Sequence, residues 1–498
     1  MTVKAIRLQN FMAFRDTDWV ELRPITLLFG RNSSGKSVLS RALLLLRQSL
    51  RSVQKEQPFV FSDLYGVDIG GFPEMVHMGD KKSRVCFHFR CESVDIQQWL
   101  ATSEIAELRA FSTRTLQIAF EYAAHRDASG GVDSSHIDLT GLHIHAVNAD
   151  AHQEILLFEA ITLEPEDVNL FGDAWFVNGL LTEQGEPGAW RGFDCKLGRH
   201  FLDLQLTPPI ETKKAEGYPP LEALLKLLTD EIRTFLEGIV HLGPIRPEPQ
   251  RRYSFSRSTA DEWQRRDWTA FRDFIAGGLN EADVQEVSAW LERLDLAQSV
   301  EPQLVSEIGA LFTEFAVTLR ESAEAAPVPL SAMGFGASQV LPIIVQCVKA
   351  KPGSLVIIEQ PELHLHPRAQ AELGDVFIAM SHRGVHFLIE THSEHLLLRL
   401  RRRIAETTLQ QFKNLNTSLE QPHSVDSKLE ESELSIRFVQ RVHNVSTTEP
   451  LRVDKRGEYV AIPEGFSKFF SNDFEEVLQI NLAIAKMNEL AQNHAPND

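Results

Sequence analysis

Long apolar segments and paired cysteines are both missing from this sequence of 498 residues. No apolar run approaches the roughly 20 residues that a membrane-spanning helix requires. The four cysteines include no Cys-x-x-Cys pair, and their spacing does not suggest a disulfide framework. The first residues lack the apolar core of a secretion signal and read as a strand. We therefore expect a cytoplasmic protein without a membrane partner.

Positive charge is also in short supply, because 50 lysines and arginines face 69 aspartates and glutamates, for a formal net charge of −19. This excess of acid argues against a protein that coats nucleic acid over its whole surface. Two segments are nevertheless rich in arginine: Arg246, Arg251, Arg252, Arg257, Arg265, Arg266 and Arg272 in the first, and Arg399, Arg401, Arg402 and Arg403 in the second. Each could be a solvated face balanced by neighbouring acids, or a local contact with DNA or a partner protein.

No sustained heptad pattern and no internal repeat are found either, which argues against a long coiled-coil arm. The composition is typical of a folded protein, with 43% hydrophobic and 24% charged residues. The length predicts two or three lobes rather than one core. Short alternating segments between about residues 84 and 177 predict an antiparallel β-rich region. The apolar spacing changes near residue 220 and predicts mainly helices as far as Leu319.

A glycine-rich loop carries the strongest functional signal. Residues 30–37 read Gly-Arg-Asn-Ser-Ser-Gly-Lys-Ser, between the apolar stretch 25–29 and the leucine-rich segment 38–46. A buried strand, such a loop and a helix form the context in which this motif binds phosphate, because successive backbone N–H groups face one anion at a helix N-terminus. Lys36 would reach the β- and γ-phosphates and the Ser37 hydroxyl would ligate Mg²⁺. The predicted phosphate-binding residues are Gly30, Arg31, Asn32, Ser33, Ser34, Gly35, Lys36 and Ser37.

Three further segments accompany the loop. In residues 355–367, Leu-Val-Ile-Ile-Glu-Gln-Pro-Glu-Leu-His-Leu-His-Pro, an apolar strand ends in Glu359, where phosphate-loop enzymes deliver a carboxylate to Mg²⁺. Upstream, a glycine-rich turn at 333–342 opens a helix and could hold a second anion. Downstream, the buried strand Phe-Leu-Ile-Glu-Thr-His-Ser at 387–393 carries His392 at its tip. A histidine there can bond a γ-phosphate oxygen or the attacking water.

In this order, the four segments resemble those of the ABC-type ATPases of the SMC and OLD kind, within the AAA family. Residues 25–46 and 330–400 carry the resemblance, and the residues between them show little beyond the position of an insertion. The sequence of residues 359–367 and of the flanking segments is most similar to bacterial ATPases of anti-phage defence operons that carry a C-terminal domain of unknown function. Ile-Pro-Glu-Gly-Phe at 462–466 resembles the start of that domain.

The resemblance implies that two heads sandwich two ATP molecules, each held by one chain's phosphate loop and capped by the other chain's glycine-rich turn. It thus implies a homodimer or a higher homo-oligomer, with ATP and Mg²⁺ as cofactors. Glu359 would hold Mg²⁺ together with Ser37, and His392 would be the switch histidine. The residues of the cap in trans would be Gly334, Gly336, Ser338 and Gln339.

Two positions depart from the family pattern. When the turn is aligned on Gln339, the usual serine falls on Gly336, so Ser338 would have to supply any hydroxyl. The acid that normally follows the Mg²⁺ ligand is Gln360 here, and an amide cannot accept a proton as a general base. Gln360 could orient water, or Glu362 could take over as base, and we expect slow hydrolysis. The predicted catalytic residues are Glu359, Gln360, Glu362 and His392.

The predicted fold class is α/β: an ABC-type ATPase head whose mixed sheet has a phosphate-loop core, with a β-rich lobe, a helical insertion and a small C-terminal α+β tail. The predicted divisions are an N-terminal ATPase lobe (1–60), the β-rich lobe (61–215), the helical insertion (216–329), a C-terminal ATPase lobe (330–405), a linker or exposed loop (406–433) and the tail (434–498). The alternating Glu362, His364 and His366 could form a metal site, although we favour polar residues at a dimer face.

Three functions fit this pattern. The first is a defence ATPase whose ATP-driven assembly regulates a partner effector, with a nuclease as the leading candidate. A partner would be needed because no clustered acidic set follows the ATPase segments as it does in OLD-type nucleases. The second is a DNA-clamping repair ATPase similar to an SMC head without arms. The third is a non-catalytic, ATP-bound scaffold that sequesters a toxic effector, which Gln360 fits.

Overall fold

The structure of the chain is a computed structural model. It describes residues 2–51, 57–64, 66–102, 113–126, 131–148, 154–162, 175–178, 188–190, 194–197, 200–207, 219–255, 263, 267–308, 312–413, 427–463 and 465–466. Among the helices of these residues, none is both long enough and apolar enough to cross a membrane.

Strands dominate the N-terminal half of the described chain, and helices and strands alternate in the C-terminal half. The strands are β1 Val3–Phe11, β2 Phe14–Asp16, β3 Val20–Glu21, β4 Ile25–Gly30, β5 Val85–Cys91, β6 Thr113–Arg126, β7 Val132–Asn148, β8 Glu154–Thr162, β9 Trp175–Asn178, β10 Gly188–Trp190, β11 Asp194–Leu197, β12 Leu204–Thr207, β13 Ile239–Leu242, β14 Tyr253–Phe255, β15 Ser299–Ile308, β16 Phe312–Arg320, β17 Val328–Pro329, β18 Leu355–Glu359, β19 His386–Thr391, β20 Leu434–Val442, β21 Val445–Pro450, β22 Arg452–Val453 and β23 Tyr459–Ala461. The helices are α1 Ser37–Arg51, α2 Phe72–Met75, α3 Val94–Thr102, α4 Pro219–Glu237, α5 Thr269–Ile275, α6 Glu281–Arg293, α7 Phe335–Lys349, α8 Pro367–Ser381 and α9 Glu394–Lys413.

One mixed sheet of 15 described strands runs through the molecule in the order β10-β9-β8-β7-β6-β5-β1-β2-β21-β20-β4-β19-β18-β13, with β3 on β1. Its last five strands, from β20 to β13, are parallel to one another. The strands from β10 to β1 pair antiparallel. The predicted α/β fold with a mixed sheet and an antiparallel β-rich region is therefore confirmed.

The parallel strands are apolar on both faces because helices cover both sides of the sheet. Side chains alternate along β4, so that Leu28 packs into one core with α1 and α4, whereas Leu27 packs into a second core with α7 and α8. Leu388 and Ile389 divide in the same way on β19. This burial fixes the register, since a shift by one residue would exchange the two faces.

The expectation that helices dominate as far as Leu319 is only partly met. Helices α4, α5 and α6 are present, but β13 joins the large sheet and β14, β16, β15 and β17 form a second sheet. On β16, Val317 and Leu319 are buried and the residue between them is half-buried. This is the period of a strand, which the longer helical pattern before it obscured.

The predicted tail begins with β20, which lies beside β4 in the large sheet, with Val439 opposite Gly30. The strands β20 and β21 thus belong to the sheet that carries the phosphate loop. Residues 467–498 of the predicted tail lie outside the described residues. The division into six domains stays a prediction.

Candidate nucleotide-binding site

The phosphate loop joins β4 to α1 at the carboxyl edge of the parallel strands, as the sequence predicts. Gly35 has φ +102°, a left-handed backbone conformation that glycine adopts without strain. A Cβ atom on Gly30 would lie 2.1 Å from the Val439 carbonyl oxygen, so only glycine fits there. The Ser446 hydroxyl, from β21, donates to the Ser34 carbonyl oxygen at 2.7 Å. The C-terminal strands therefore hold the loop in place.

Lys36 is folded back on its own loop. Its Nζ donates to the carbonyl oxygens of Gly30 at 2.9 Å and Arg31 at 2.7 Å, and the residue is only 6% exposed. Burial lowers the pKa of Lys36 to about 8, against the opposing effect of Glu390 and Glu362. An anion in the loop would supply the counter-charge that two carbonyl oxygens supply only in part.

The hydroxyl of Ser37 meets a carboxylate that the sequence prediction did not include. Ser37 Oγ donates to Glu390 Oε2 at 2.6 Å, and Ser40 Oγ donates to the other carboxylate oxygen. Glu390 is 2% exposed and lies on β19, between the strands of the phosphate loop and of Glu359. Burial and the neighbouring Glu359 raise the pKa of Glu390 above its usual range.

Glu359 ends β18 directly beside Glu390, because the two residues are register partners in the parallel ladder. Its Oε1 lies 2.7 Å from His241 Nε2, at the tip of β13. Hydroxyl and carboxylate oxygens are the ligands that Mg²⁺ prefers. The Ser37 hydroxyl and the Glu359 carboxylate lie at the same edge of the sheet, with β19 between β4 and β18, and are a donor set that fits this cation.

Gln360 turns the chain sharply after β18. Its φ of +47° is left-handed, and its N–H donates to the Glu390 carbonyl oxygen at 2.7 Å. Arg246 fixes the same peptide from the other side, since its NH2 group donates to the Glu359 carbonyl oxygen at 2.7 Å and to that of Gln360 at 3.2 Å. Burial lowers the pKa of Arg246 to about 10. This arginine of the first basic segment is buried structure and not a solvated face.

Glu362 reaches the tip of β19. Its Oε1 accepts from the His392 backbone N–H at 2.7 Å, whereas its Oε2 has no hydrogen-bond partner among the described residues. Burial raises the pKa of Glu362, although the bond from His392 and the charge of Arg246 oppose the shift. A carboxylate with one satisfied and one unsatisfied oxygen is suited to accept a proton or bind a ligand donor.

His392 stands beside the phosphate loop. Burial and the charge of Lys36 lower its pKa to about 4, while the Gly30 backbone opposes the shift. Its Nε2 is buried, and no partner for it occurs in the part of the chain that the structure describes. The imidazole is therefore neutral near pH 7 and available for a hydrogen bond with a ligand.

The glycine-rich turn lies at the N-terminus of α7, with Gly334 as the N-cap residue. Gly334 is exposed and Gln339 half-buried, while a Cβ on Gly336 would lie 3.1 Å from the His364 carbonyl oxygen. Ser338 is 2% exposed, and its hydroxyl donates to the Phe335 carbonyl oxygen at 2.9 Å. The expectation that Ser338 supplies a hydroxyl to a partner's nucleotide does not agree with this geometry.

The histidines after β18 have local roles. His364 adopts φ +62° and packs its ring 5.4 Å from that of Phe335, which is 69% exposed. His366 caps α8 by accepting from the Arg368 N–H. Within the described ranges, no group of three or more His, Cys, Asp or Glu residues is placed to hold a metal ion.

A cavity of about 430 Å³ opens next to the phosphate loop. It is lined by residues of β1, β2 and β21: Gln9, Asn10, Arg15, Asp16, Val445, Ser446 and Thr447. Ser446 connects this cavity to the phosphate loop, because its hydroxyl also donates to the Ser34 carbonyl oxygen.

The second arginine-rich segment is largely internal. Arg399 and Arg403 bond the buried Asp375, Arg401 lies 3.9 Å from the centre of the Tyr459 ring, and Arg402 pairs with Glu406. The sequence predicts a solvated face, or a contact with DNA or a partner protein, for these arginines, but residues four apart on α9, such as Arg399 and Arg403, face α8 together. In the first segment, Arg257, Arg265 and Arg266 lie outside the described residues.

The structure thus brings the phosphate loop, Glu359, Gln360, Glu362 and His392 to one edge, and leaves the glycine-rich turn at the start of a different helix. Sequence reasoning missed Glu390, His241 and Arg246. An acid inside the apolar strand Phe-Leu-Ile-Glu-Thr is a signal that could have found Glu390. His241 could not be placed, because its segment was read as helical.

Part of the chain is similar to a known protein family. Residues 199–399 match the family model described as "AAA domain, putative AbiEii toxin, Type IV TA system". This part of the chain is therefore similar to an ATPase domain of the AAA type. The match starts after the phosphate loop and includes Glu359 and His392. Comparison with curated proteins gives no match.

Among solved structures, the chain is similar to three SMC head domains. The head from Thermotoga maritima is 10% identical, with a TM-score of 0.37 and coverage of 91% of this chain and 100% of the other. A head bound to the C-terminal winged-helix domain of ScpA is 12% identical, with a TM-score of 0.40 and coverage of 91% and 99%. A head with an extended coiled coil, bound to the C-terminal domain of ScpA derived from Pyrococcus furiosus, is 10% identical, with a TM-score of 0.39 and coverage of 91% and 96%.

Proposed function

We propose that this chain is an ATP-binding, slowly hydrolysing ABC-type ATPase, and that ATP drives the head-to-tail association of two or more copies. Assembly would regulate a partner effector protein, with a nuclease as the leading candidate, in bacterial anti-phage defence. The observation that carries the proposal is the convergence of Lys36, Ser37, Glu359 and His392 at one edge of the sheet. Unsatisfied buried atoms of Glu362 and His392 face the same edge, as expected of a site that awaits a ligand.

The proposed chemistry follows from these positions. Mg²⁺, when bound with ATP, would neutralise phosphate charge, and Ser37 and Glu359 are the residues that would hold it. Lys36 would exchange its two carbonyl partners for phosphate oxygens. The neutral His392 would donate or accept one hydrogen bond at the γ-phosphate or the attacking water. Gln360 would orient this water, and Glu362 is the proposed base because its Oε2 is unsatisfied.

Slow turnover follows from the same geometry. The peptide of Gln360 is held by Arg246 and by the Glu390 carbonyl oxygen, and its side chain is an amide, which cannot take a proton. Glu362 is tied to the His392 backbone, so it can approach water only with its second oxygen. Both features favour binding over rapid hydrolysis.

The proposed cap in trans relies on backbone groups. Gly334 is exposed and has open space around its Cα, and the first N–H groups of α7 have no partners within the helix. A helix N-terminus of this kind stabilises an anion. We therefore assign the cap to the N–H groups of Gly334 and Gly336, with Gln339 beside them, and replace the earlier role of the Ser338 hydroxyl. The exposed Phe335 would lie in the same interface.

The effector and the defence setting rest on the resemblance of residues 359–367 and their flanks to the defence ATPases. Two alternatives remain: a DNA-clamping head, and an ATP-bound scaffold without turnover. The pairing of Arg399, Arg401, Arg402 and Arg403 inside the chain weakens the first. The amide at position 360 supports the second.

One set of assays separates these functions. ATP binding by calorimetry and phosphate release should be measured for the purified chain, with and without duplex DNA. The proposal predicts tight binding, weak release and no stimulation by DNA. Strong stimulation by DNA would favour the clamp, background release with tight binding would favour the scaffold, and failure to bind ATP would refute all three.

A further inference from the structure

Glu390 is a buried acid with an unusual set of partners. Its two carboxylate oxygens accept hydrogen bonds from two hydroxyls of one helix, Ser37 and Ser40, which stand at the first and fourth positions of α1. Ser40 is fully buried and Glu390 is 2% exposed. The contact therefore clamps β19 to the start of α1 directly under the phosphate loop.

Such an acid is expensive to bury. A carboxylate removed from water is destabilised unless it is paired and hydrogen-bonded, and a like charge on the adjacent strand adds repulsion. Glu359 supplies that repulsion as the register partner of Glu390. Among the described residues, no arginine forms an ion pair with Glu390, and the favourable charge acting on it is that of Lys36. A carboxylate kept only to tie two elements together would be better replaced by an amide.

We propose that Glu390 is a positioning residue of the cation site, which orients the Ser37 hydroxyl and supplies the second negative charge of the nucleotide centre. A serine hydroxyl has one proton and two lone pairs. With its proton committed to Glu390 Oε2 at 2.6 Å, Ser37 turns its lone pairs away from the carboxylate and toward the phosphate loop. A group that accepts a hydrogen bond from a metal-ligating side chain fixes the orientation of that side chain and raises its basicity.

Ser40 gives this arrangement its rigidity. It holds the other carboxylate oxygen from one turn further along the same helix, so Glu390 cannot rotate away from Ser37 without losing a second bond. The Glu390 carbonyl oxygen also accepts from the N–H of Gln360, which directly follows the strand of Glu359. Glu390 thus links Ser37 with the end of β18, where Glu359 lies. Glu390 also places a second carboxylate beside Glu359, whereas the residue that follows Glu359 in the chain, Gln360, is an amide.

The test compares ATP affinity with and without Mg²⁺, by calorimetry on the full chain. This inference rests on the proposed function, so the wild type is the first arm, and Mg²⁺ should tighten its binding of ATP. Glu390→Gln should bind ATP without Mg²⁺ within about twofold of the wild type, but should lose about 10- to 100-fold of the Mg²⁺-dependent affinity. Ser40→Ala should lose a smaller part. Glu286→Gln, which removes a carboxylate on α6 that pairs with Arg383, is the matched control and should behave as the wild type.

A second measurement distinguishes a change at the cation site from misfolding of the variant. With Mn²⁺ in place of Mg²⁺, the electron paramagnetic resonance spectrum of the ATP complex should change in Glu390→Gln and stay unchanged in Glu286→Gln. Equal Mg²⁺ enhancement in the wild type and Glu390→Gln would overturn the inference and leave the proposed function standing. An equal loss with and without Mg²⁺ would also overturn it, because that is the effect of a damaged loop. A wild type that binds no ATP would overturn both.

Discussion

Two buried charge clusters of this molecule are built on opposite principles. The first, on α6, α8 and α9, surrounds Asp375, which is fully buried and accepts hydrogen bonds from three arginines. Arg403 makes two of these bonds, and its pKa is raised by Asp375 and Glu406. Glu372 and Glu406 take up further guanidinium donors. Charge and hydrogen-bonding capacity are matched within the chain.

The second cluster, at the nucleotide-binding edge, is mismatched. Glu362 and Glu390 act on the charge of Lys36, and Glu359 lies beside Glu390. Burial shifts the pKa of Lys36, Glu362, Glu390 and His392 toward the uncharged form in every case. Buried atoms of Ser34, Glu362 and His392 have no hydrogen-bond partner among the described residues. Such a cluster destabilises the free protein.

The difference in hydrogen bonding between the two clusters distinguishes a structural role from a ligand-binding role. Buried polar groups are nearly always satisfied in a folded protein, so a group of unsatisfied ones at one edge indicates a place for a ligand. The Asp375 cluster is complete within the chain, whereas the proposed nucleotide centre would be completed by an anion, a cation and a partner's N–H groups. Predictions that treat the two clusters differently test this interpretation.

The largest effect should come from Lys36→Ala. Lys36 supplies the point charge opposite the β- and γ-phosphates, so its loss should weaken ATP binding by roughly 100-fold or more. Calorimetry measures the affinity. The fold should survive, because the lysine bonds only two carbonyl oxygens of its own loop. Unchanged ATP affinity in a folded variant would refute the phosphate-loop assignment.

Asp375→Ala should have the opposite profile. It leaves Arg293, Arg399 and Arg403 without their common acceptor, and breaking a buried ion cluster from one side destabilises by about 3–5 kcal/mol. A marked drop in melting temperature is expected, while the variant that remains folded at low temperature should bind ATP as the wild type does. A stable variant with impaired ATP binding would reverse the distinction between the clusters.

Turnover should depend on the acids next to the loop and not on those of the Asp375 cluster. If Glu362 is the base, Glu362→Gln should abolish phosphate release and preserve ATP binding, and Gln360→Glu should change little. If Gln360 only positions water, Gln360→Glu should raise the rate instead. Single-turnover measurements with matched ATP saturation distinguish the two. A brisk rate in the wild type that neither change affects would place the base elsewhere, with His392 the next candidate.

The glycine-rich turn should affect assembly without affecting binding by the isolated chain. Gly334→Trp is the cleaner variant, because nothing lies within 4 Å of a Cβ atom there, whereas a Cβ on Gly336 would already crowd His364. ATP affinity should be retained and ATP-dependent association lost. Phe335→Ser should weaken association less. Normal assembly of Gly334→Trp would exclude the cap in trans.

The smallest effect concerns the free energy of folding of the ATP-free protein. The pKa of Glu362 is raised in the folded state. This acid therefore begins to destabilise the fold when the pH rises above the pKa it has in the unfolded chain, and the full destabilisation is reached above the pKa it has in the folded chain. Glu362→Gln should therefore raise the melting temperature slightly at pH 8 and leave it unchanged near pH 4. A lower melting temperature at pH 8 would show that Glu362 stabilises the free protein.

Local patterns predicted much of the site and less of its surroundings. The phosphate loop, Glu359 and His392 were found because each follows a strongly apolar strand. Glu390 was missed because one acid inside such a strand is read as part of it, and only the neighbouring α1 reveals its bonds to Ser37 and Ser40. Arg246 and Arg403 were interpreted as surface charges, since sequence spacing does not show which acid or carbonyl oxygen a neighbouring element brings to them.

The most direct test of the account is the molar mass of the chain in solution, measured by light scattering after size exclusion, with and without ATP and Mg²⁺. The wild type should be a smaller species without ATP and should at least double its mass with ATP and Mg²⁺, and Lys36→Ala should keep the smaller mass in both conditions. A wild type that binds ATP but whose mass does not change would contradict ATP-driven assembly, which is the central claim.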